Sequence, residues 1–184
     1  MDRDQAMALL RHYVKNENLI KHCLAVEAAM RSYARRFGGD PDLWGLAGLL
    51  HDFDWEIHPN AEQHPREGAP ILRAAGVPEE VIYTILAHAD YLNLERKSWM
   101  DKALPAVDEL TGFIVAVALV RPSRSLRDVD VAAVKKKMKD RAFARAVRRE
   151  DIINGAALLG VSLDEHIQTV IDAMREIAPE LGLA

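Results

Sequence analysis

An apolar stretch that begins at Leu46 ends in two adjacent side chains that can titrate and bind metal, His51 and Asp52. Burying an imidazole and a carboxylate together is costly unless their charges are compensated. Other polar side chains or a metal ion must therefore meet this pair in the folded chain. The positions of the remaining histidines and aspartates indicate whether the pair is met by other side chains alone or by a metal ion.

Three further side chains, His22, His88 and Asp108, have apolar residues at helical spacing around them, so each is expected to face the interior. Taken alone, an inward histidine is most often a hydrogen-bonded core residue, and an inward aspartate needs a partner. Together with His51 and Asp52 they come from four separate predicted helices, which is how helix bundles assemble metal sites. Nitrogen and oxygen ligands without a thiolate suit one or two divalent ions of Fe, Mn, Zn, Co or Ni.

The other candidate ligands are less informative by position. His58 and His64 both lie near the loop that follows the His-Asp pair, and spacing alone does not choose between them. His12 and His166 have no comparable setting and are interpreted as surface residues or as residues behind the ligands. Cys23 lies about 100 degrees around the helix from its neighbour His22, so we interpret it as a small apolar residue.

The elements that position these residues are helices, because nearly every segment repeats its apolar residues with a period of about 3.6 and none alternates as a strand would. Gly, Pro and capping residues separate the segments. The predicted helices cover residues 2–15, 18–37, 41–52, 65–75 and 78–88, a long segment from Ser98 or Leu104 to Val120, one or two basic helices in 129–147 with a break near Asp140, and then 149–159 and 162–178.

This pattern predicts an all-α fold, a compact single-domain bundle of about eight helices over residues 1–184. The metal-site core is expected in residues 18–120, with the C-terminal helices of residues 129–178 packed on it. The long helix up to Val120 is apolar enough to be buried but too short to span a membrane.

Composition narrows the class of protein. The net charge of −4 gives no global attraction to nucleic acid or to an anionic membrane, and the single cysteine excludes an intramolecular disulfide framework. Without a secretory leader or a membrane span, we expect a cytoplasmic protein with no membrane partner. The basic residues of 135–149 alternate with apolar ones, which favours an amphipathic helix with a solvated face over a nucleic-acid site. The oligomeric state stays open, with a homodimer as the alternative to a monomer.

The ordered set of ligands resembles the HD-domain superfamily of metal-dependent phosphohydrolases, whose pattern is an early His, a His-Asp pair and a distal Asp. His22, His51-Asp52 and Asp108 fill these places, and the similarity covers residues 18–120. Members that hold two metals have two further histidines between the pair and the distal Asp. His64 and His88 resemble those two, and the resemblance therefore selects His64 over His58.

The resemblance implies a mechanism in which Asp52 bridges two metals, with His22, His51 and Asp108 on one and His64 and His88 on the other. A water activated between the metals would attack the phosphorus of a small phosphorylated substrate. Asp54 is the candidate for assisting proton transfer, whereas we interpret Glu56 as capping the loop. The cations considered for substrate binding are Lys21, Arg66, Arg121 and Arg124, with Lys135 to Lys137 further off, and a solvated surface charge is the alternative interpretation of each.

The sequence departs from the commonest family pattern after the pair, which continues as Phe53-Asp54-Trp55-Glu56, and His88 lacks the Gly-Tyr-Pro of the HD-GYP class. We therefore expect a small stand-alone member that hydrolyses a phosphoester of a nucleotide or small metabolite. Two alternatives share the same ligands: a mixed-valent di-iron oxygenase and a non-catalytic module that senses a metal or nucleotide. Oxygen consumption by the iron-loaded protein distinguishes the first, and tight nucleotide binding without turnover distinguishes the second.

Overall fold

The computed structural model describes all residues 1–184. Two 21-residue helices, α2 (Glu17–Phe37) and α6 (Trp99–Leu119), form the centre of the fold, and each is about 30 Å long at ~1.5 Å per residue. They pack against each other, and other helices pack against one or both of them. The chain has no strand, which confirms the all-α prediction.

The other helices of the N-terminal half are α1 (Arg3–Tyr13), α3 (Pro41–Leu50), α4 (Ala69–Ala74) and α5 (Glu79–Ala87). α3 packs on α2, α1 and α5 pack on α3, and α4 packs on α5. Helix starts follow from capping residues in the sequence, since side chains accept hydrogen bonds from the free N–H groups of the first turn of α1, α2 and α3. α2 ends at Gly38, whose φ of 71° is the left-handed conformation that glycine adopts without strain.

The C-terminal half consists of α7 (Val131–Met138), α8 (Arg149–Leu158), α9 (Leu163–Glu176) and the short α10 (Ala178–Leu181). The structure has ten α-helices, close to the predicted number of about eight. α10 has no separate prediction, because four residues carry too little periodicity to be recognised. The long central helix begins after Ser98, the earlier of the two predicted starts, where Ser98 and Asp101 form a reciprocal capping box. Single 3-10 turns also occur at Arg66–Gly68, Asp90–Leu92 and Leu126–Asp128.

Of the one or two basic helices predicted in residues 129–147, the structure has one, α7, which ends at Met138 close to the predicted break near Asp140. The following segment is irregular, and Ala144 has a φ of 46°. Arg149 replaces the missing helical hydrogen bonds, since its guanidinium donates to the carbonyl oxygens of Asp140, Ala144 and Val147 at 2.8–3.0 Å. These carbonyl oxygens lie two to nine residues before Arg149, and helical periodicity does not predict such side-chain contacts.

One hydrophobic cluster runs from Ala6 to Leu183 and joins the two halves, with α9 packed on α2 and α6. The boundaries of the predicted domain, residues 1–184 with a metal-site core in 18–120, stay a prediction. None of the helices has the length and apolar character that a membrane crossing requires.

Candidate metal centre

The two central helices each contribute one residue to a polar cluster in the interior. His22 lies on α2 and Asp108 on α6, and His22 Nε2 is 2.9 Å from Asp108 Oδ1. Both side chains are about one quarter exposed. The helical spacing that predicted an inward position for each residue therefore also brings the two together across the α2–α6 contact.

The His-Asp pair lies at the C-terminal end of α3. His51 is fully buried, and its Nδ1–H donates to the carbonyl oxygen of Gly48 at 2.7 Å. This bond directs His51 Nε2 at the cluster, 3.2 Å from Asp52 Oδ2 and 3.2 Å from Asp108 Oδ1. His22, His51, Asp52 and Asp108 thus form one group whose ligand atoms all lie within 4.8 Å of one another.

A second group consists of Asp52, His64 and His88, again with ligand atoms within 4.8 Å. His64 Nε2 lies 3.2 Å from Asp52 Oδ1, and His88 Nε2 lies 3.9 Å from the same oxygen. His88 follows α5, where its Nδ1–H donates to the carbonyl oxygen of Ile85. The structure therefore brings together all six residues that the sequence singles out as ligands.

The two carboxylate oxygens of Asp52 face different groups. Oδ2 is 3.6 Å from His22 Nε2 and 3.2 Å from His51 Nε2, whereas Oδ1 is directed at His64 and His88. A carboxylate with one oxygen in each of two ligand groups is suited to bridging two cations. The arrangement fits the bridging role that the family resemblance implies for Asp52.

The pKa values of the clustered side chains show that positive charge stabilises the two ionised carboxylates. Burial raises the pKa of Asp52 and of Asp108, but the nearby histidines, above all His51, outweigh burial and hold both pKa values below the usual range. Burial lowers the pKa of His51 and of His64, but the negative charge of Asp52 and the neighbouring carboxylates has the larger effect. The pKa of His51 is therefore raised well above its usual value, and the pKa of His64 is raised to about 9. Burial lowers the pKa of His88. Bound cations would satisfy the carboxylates without protonating the rings.

The donor set fits divalent transition metals. Four imidazoles and two carboxylates supply nitrogen and oxygen ligands, and Nδ1–H bonds to acceptors leave Nε2 of His51, His64 and His88 free to coordinate. Cys23 is buried, and burial raises the pKa of its thiol to about 12, so it supplies no thiolate. Which divalent ion binds is not fixed by these ligands.

The segment Asp54-Trp55-Glu56, where the sequence leaves the family pattern, supports the cluster from behind. Asp54 is fully buried, and its Oδ1 accepts a hydrogen bond from His64 Nδ1–H at 2.6 Å. Trp55 packs edge-on against the His64 ring. Glu56 accepts from the backbone N–H groups of Lys15 and Asn16 at 2.7–3.1 Å, so it caps the turn before α2 and not its own loop, in contrast to the interpretation from the sequence.

A cavity of about 510 Å³ opens beside the cluster and is lined by His64, His88 and Asp108. Its wall is mostly polar and carries three cations outside the set named from the sequence for substrate binding: Arg96, Lys102 and Arg148. Arg96 is held by the carbonyl oxygen of Ala87 at 3.0 Å, whereas Lys102 makes no ion pair and lies over the Trp99 ring. Nothing local in the sequence signals this wall, because residues 88–96 after α5, helix α6 and residues 148–158 at α8 come together only in the fold.

Carboxylates share the wall with these cations. Asp90 lies between Arg96 and Arg148, at 2.7 Å and 3.6 Å, and Asp151 lies 3.8 Å from Arg148. Glu109 also lines the cavity, and burial raises its pKa to about 7. The cavity therefore offers polar contacts of both signs and few apolar ones.

The four cations predicted to bind substrate do not line this cavity. Lys21 Nζ lies beside Gly182 at the C-terminal end of the chain, and the exposed Arg66 donates to the carbonyl oxygen of Glu62. Arg121 and Arg124 follow the far end of α6, about 20 Å from Asp108 at ~1.5 Å per helical residue. Lys21 is thus next to His22 in sequence but lies beside the C-terminal end of the chain, and Arg121 and Arg124 lie beyond the C-terminal end of α6, whereas Asp108 lies near its middle.

His166 corrects another expectation, because it is neither at the surface nor behind the ligands. It is fully buried, with Nδ1 2.6 Å from the hydroxyl of Tyr33 and Nε2–H donating to the carbonyl oxygen of Ala106 at 2.9 Å. His12 is exposed, as expected. His58 lies 3.3 Å from Asp54 Oδ2 and belongs to neither ligand group.

An all-helical chain with a shared carboxylate between two histidine groups belongs to the class of bundle proteins that hold metals in their core. Residues 19–133 match the family described as HD domain, and this chain belongs to that family. The match confirms the resemblance and assigns the chain to a superfamily of metal-dependent phosphohydrolases.

Curated relatives include two proteins named ribonuclease Y. The one from Desulfotalea psychrophila is 31% identical over 97 residues, and the one from Cutibacterium acnes is 30% identical over 79 residues. These alignments cover 52% and 42% of this chain but 18% and 15% of the relatives, so the chain matches less than a fifth of each. No solved structure matches the chain.

Proposed function

We propose that this protein is a two-metal phosphohydrolase that cleaves a phosphoester of a small phosphorylated metabolite or nucleotide. The observation that carries the proposal is the division of the Asp52 carboxylate between two ligand groups beside an open cavity. His22, His51, Asp52 and Asp108 would hold one divalent ion, and Asp52, His64 and His88 the other.

Divalent ions in such a site polarise phosphoryl oxygens and lower the pKa of water, which supplies the nucleophile for hydrolysis at phosphorus. The chain's own part is to hold the ligands in place and to orient the ester. Asp54 fixes the His64 ring through the 2.6 Å hydrogen bond to Nδ1, so it acts as a positioning residue. This buried carboxylate does not line the cavity and is not proposed to touch the substrate.

Lys102 and Arg148 are proposed to bind the negative charge of the substrate, since both line the cavity and neither is held as firmly as Arg96. Glu109, Asp151 and Asn154 offer acceptors for hydroxyl or amino groups on the rest of the molecule. Because the wall is polar and holds acidic as well as basic residues, it suits a small polar phosphoester better than a long polyanion.

The test is the Asp52→Ala variant, which removes the shared ligand. We expect it to lose metal and to lose turnover on a panel of phosphomonoesters, nucleotides and a short single-stranded RNA, the last included because of the ribonuclease Y relatives. His12→Ala, at an exposed position of α1, is the control and retains both.

Wild-type turnover by a folded Asp52→Ala variant with measured metal content would overturn the proposal. Activity of the manganese-loaded protein without oxygen supports hydrolysis, whereas oxygen uptake that requires iron contradicts it. Cleavage of RNA alone would contradict the small substrate while leaving the metal centre in place.

A further inference from the structure

The basic residues of this acidic protein are concentrated in one segment. Residues 121–149 contain 11 Lys or Arg and three Asp, whereas the other 155 residues contain 13 basic and 25 acidic side chains. The segment comprises the turn after α6, helix α7 and the irregular stretch up to Arg149. A net positive region of this density attracts anions locally although the whole chain is negative.

Within this region, three cations line one cavity of about 230 Å³ between the end of α6 and the side of α7. Arg121 lines it from the turn, and Lys136 and Lys137 line it from α7, where Lys137 Nζ also lies 5.0 Å from the centroid of the Phe143 ring. The other four lining residues are apolar, and no carboxylate lines the cavity. Positive side chains that line one cavity without a negative partner repel each other. An anion bound in the cavity would reduce this repulsion.

None of the three cations forms an ion pair, although nearby Lys135 lies 2.8 Å from Asp164. Arg121 Nε is the one buried side-chain nitrogen or oxygen in the chain that has no hydrogen-bond partner. A buried donor without an acceptor is unfavourable, and an anion in the adjoining cavity would satisfy it. This unpartnered nitrogen is independent of the charge count and points to the same ligand chemistry.

The cavity is separate from the metal centre. Asp108 and Arg121 are 13 positions apart along α6 and the turn that follows it, which corresponds to about 20 Å at ~1.5 Å per residue. The two cavities share no lining residue. A ligand bound here would therefore not contact the proposed metal ligands.

We propose that this cavity is a second anion-binding site, which takes a compact phosphate-bearing anion such as inorganic phosphate, pyrophosphate or the polyphosphate end of a nucleotide. The planar guanidinium of Arg121 suits two phosphate oxygens at once, and the two lysines supply additional charge. The small volume and the apolar remainder of the wall favour a compact group over the extended backbone of RNA, because pockets for larger ligands exceed about 300 Å³.

The test is calorimetric titration of the full-length, metal-loaded protein with pyrophosphate and, separately, with inorganic phosphate. Lys136→Gln combined with Lys137→Gln should weaken one binding event about tenfold or more, because each lost charged hydrogen bond contributes severalfold. Arg121→Lys retains the charge but removes the planar fork, and should weaken the same event. Metal content should stay unchanged in all variants. The control is Lys139→Gln, which removes a positive charge next to α7 outside this cavity.

Tighter binding of pyrophosphate than of phosphate would identify a polyphosphate site, and equal binding would identify a site for a single phosphoryl group. The proposal is overturned if the double variant has the wild-type isotherm, or if Lys139→Gln weakens binding as much, since that result would mean diffuse surface charge. It is also overturned if neither anion saturates this site while single-stranded RNA binds with a strength that rises with its length.

Discussion

Three of the four histidines in the two ligand groups donate a hydrogen bond from Nδ1. The acceptors are backbone carbonyl oxygens for His51 and His88 and the Asp54 carboxylate for His64. Each bond fixes the tautomer that leaves Nε2 available and also fixes the plane of the ring. The acceptor for His64 is the one that substitution of a side chain can remove.

Asp54→Ala should therefore weaken metal binding by about 10- to 100-fold, chiefly in the group of Asp52, His64 and His88. Without its acceptor, the His64 ring is free to rotate or to place its proton on Nε2. Metal content after dialysis and the dissociation constant for manganese provide the measurement.

Glu56→Ala is the matched control, because this carboxylate of the same segment contacts only the backbone N–H groups of Lys15 and Asn16. It should lower stability but retain metal. Wild-type manganese affinity in Asp54→Ala would exclude the positioning role.

Five of the six ligands could be predicted from the sequence, whereas the residues that hold the ligands in place could not. His22, His51, His88 and the two aspartates lie on or next to helices, where spacing from apolar neighbours gives the inward direction. Asp54 lies in an irregular segment without such a period, so its burial behind His64 depends on contacts ten residues away along the chain. His166 is similar, because its partners Tyr33 and Ala106 come from distant helices.

At the scale of helices, the close approach of α3 to α2 places the His-Asp pair opposite His22. Gly48 makes this approach possible, since a Cβ there would lie 2.9 Å from the Cα and N atoms of Glu27. Backbone atoms cannot move aside as a flexible side chain can. The carbonyl oxygen of Gly48 also accepts the hydrogen bond from His51, so the same residue sets the spacing of the helices and the orientation of the ring.

Gly48→Ala should cost about 1–3 kcal/mol in the free energy of unfolding, because the methyl group forces α2 and α3 apart. Metal content should fall as well, since His51 and Asp52 move with α3. Denaturant unfolding and elemental analysis test the two effects.

Gly112→Ala provides the opposite case in the middle of α6, where a Cβ meets nothing within 4 Å. It should stabilise the protein by about 0.5–1 kcal/mol through helix propensity alone. Equal effects of the two substitutions would show that helix spacing at Gly48 is unimportant. The starts of helices were predictable from capping residues, whereas the spacing between helices depends on which backbones meet and has no such local signal.

At the scale of the whole molecule, one imidazole connects three helices of the core. His166 on α9 contacts the Tyr33 hydroxyl on α2 and donates to the Ala106 carbonyl oxygen on α6. Because Nε2 donates to a carbonyl, Nδ1 of the neutral ring accepts from Tyr33. The all-α class and most helices follow from periodicity and capping, but this connection joins residues 133 positions apart and could not be read from the sequence.

This neutral imidazole should make stability depend on pH. Burial lowers the pKa of His166 from 6.5 to about 4, so the unfolded chain binds a proton that the folded chain excludes between these values. The contribution of this neutral ring to the free energy of unfolding is roughly 3 kcal/mol. It is fully present above pH 6.5 and is lost as the pH falls through 4. His166→Gln should be less stable than the wild type at pH 7, and the difference should shrink towards pH 4.

Urea unfolding between pH 7 and pH 4 measures this difference in stability. The control is His12→Gln, which removes an exposed imidazole and should leave the pH dependence of the wild type unchanged. A difference between wild type and His166→Gln that stays constant from pH 7 to 4 would mean that His166 is not held neutral in the core.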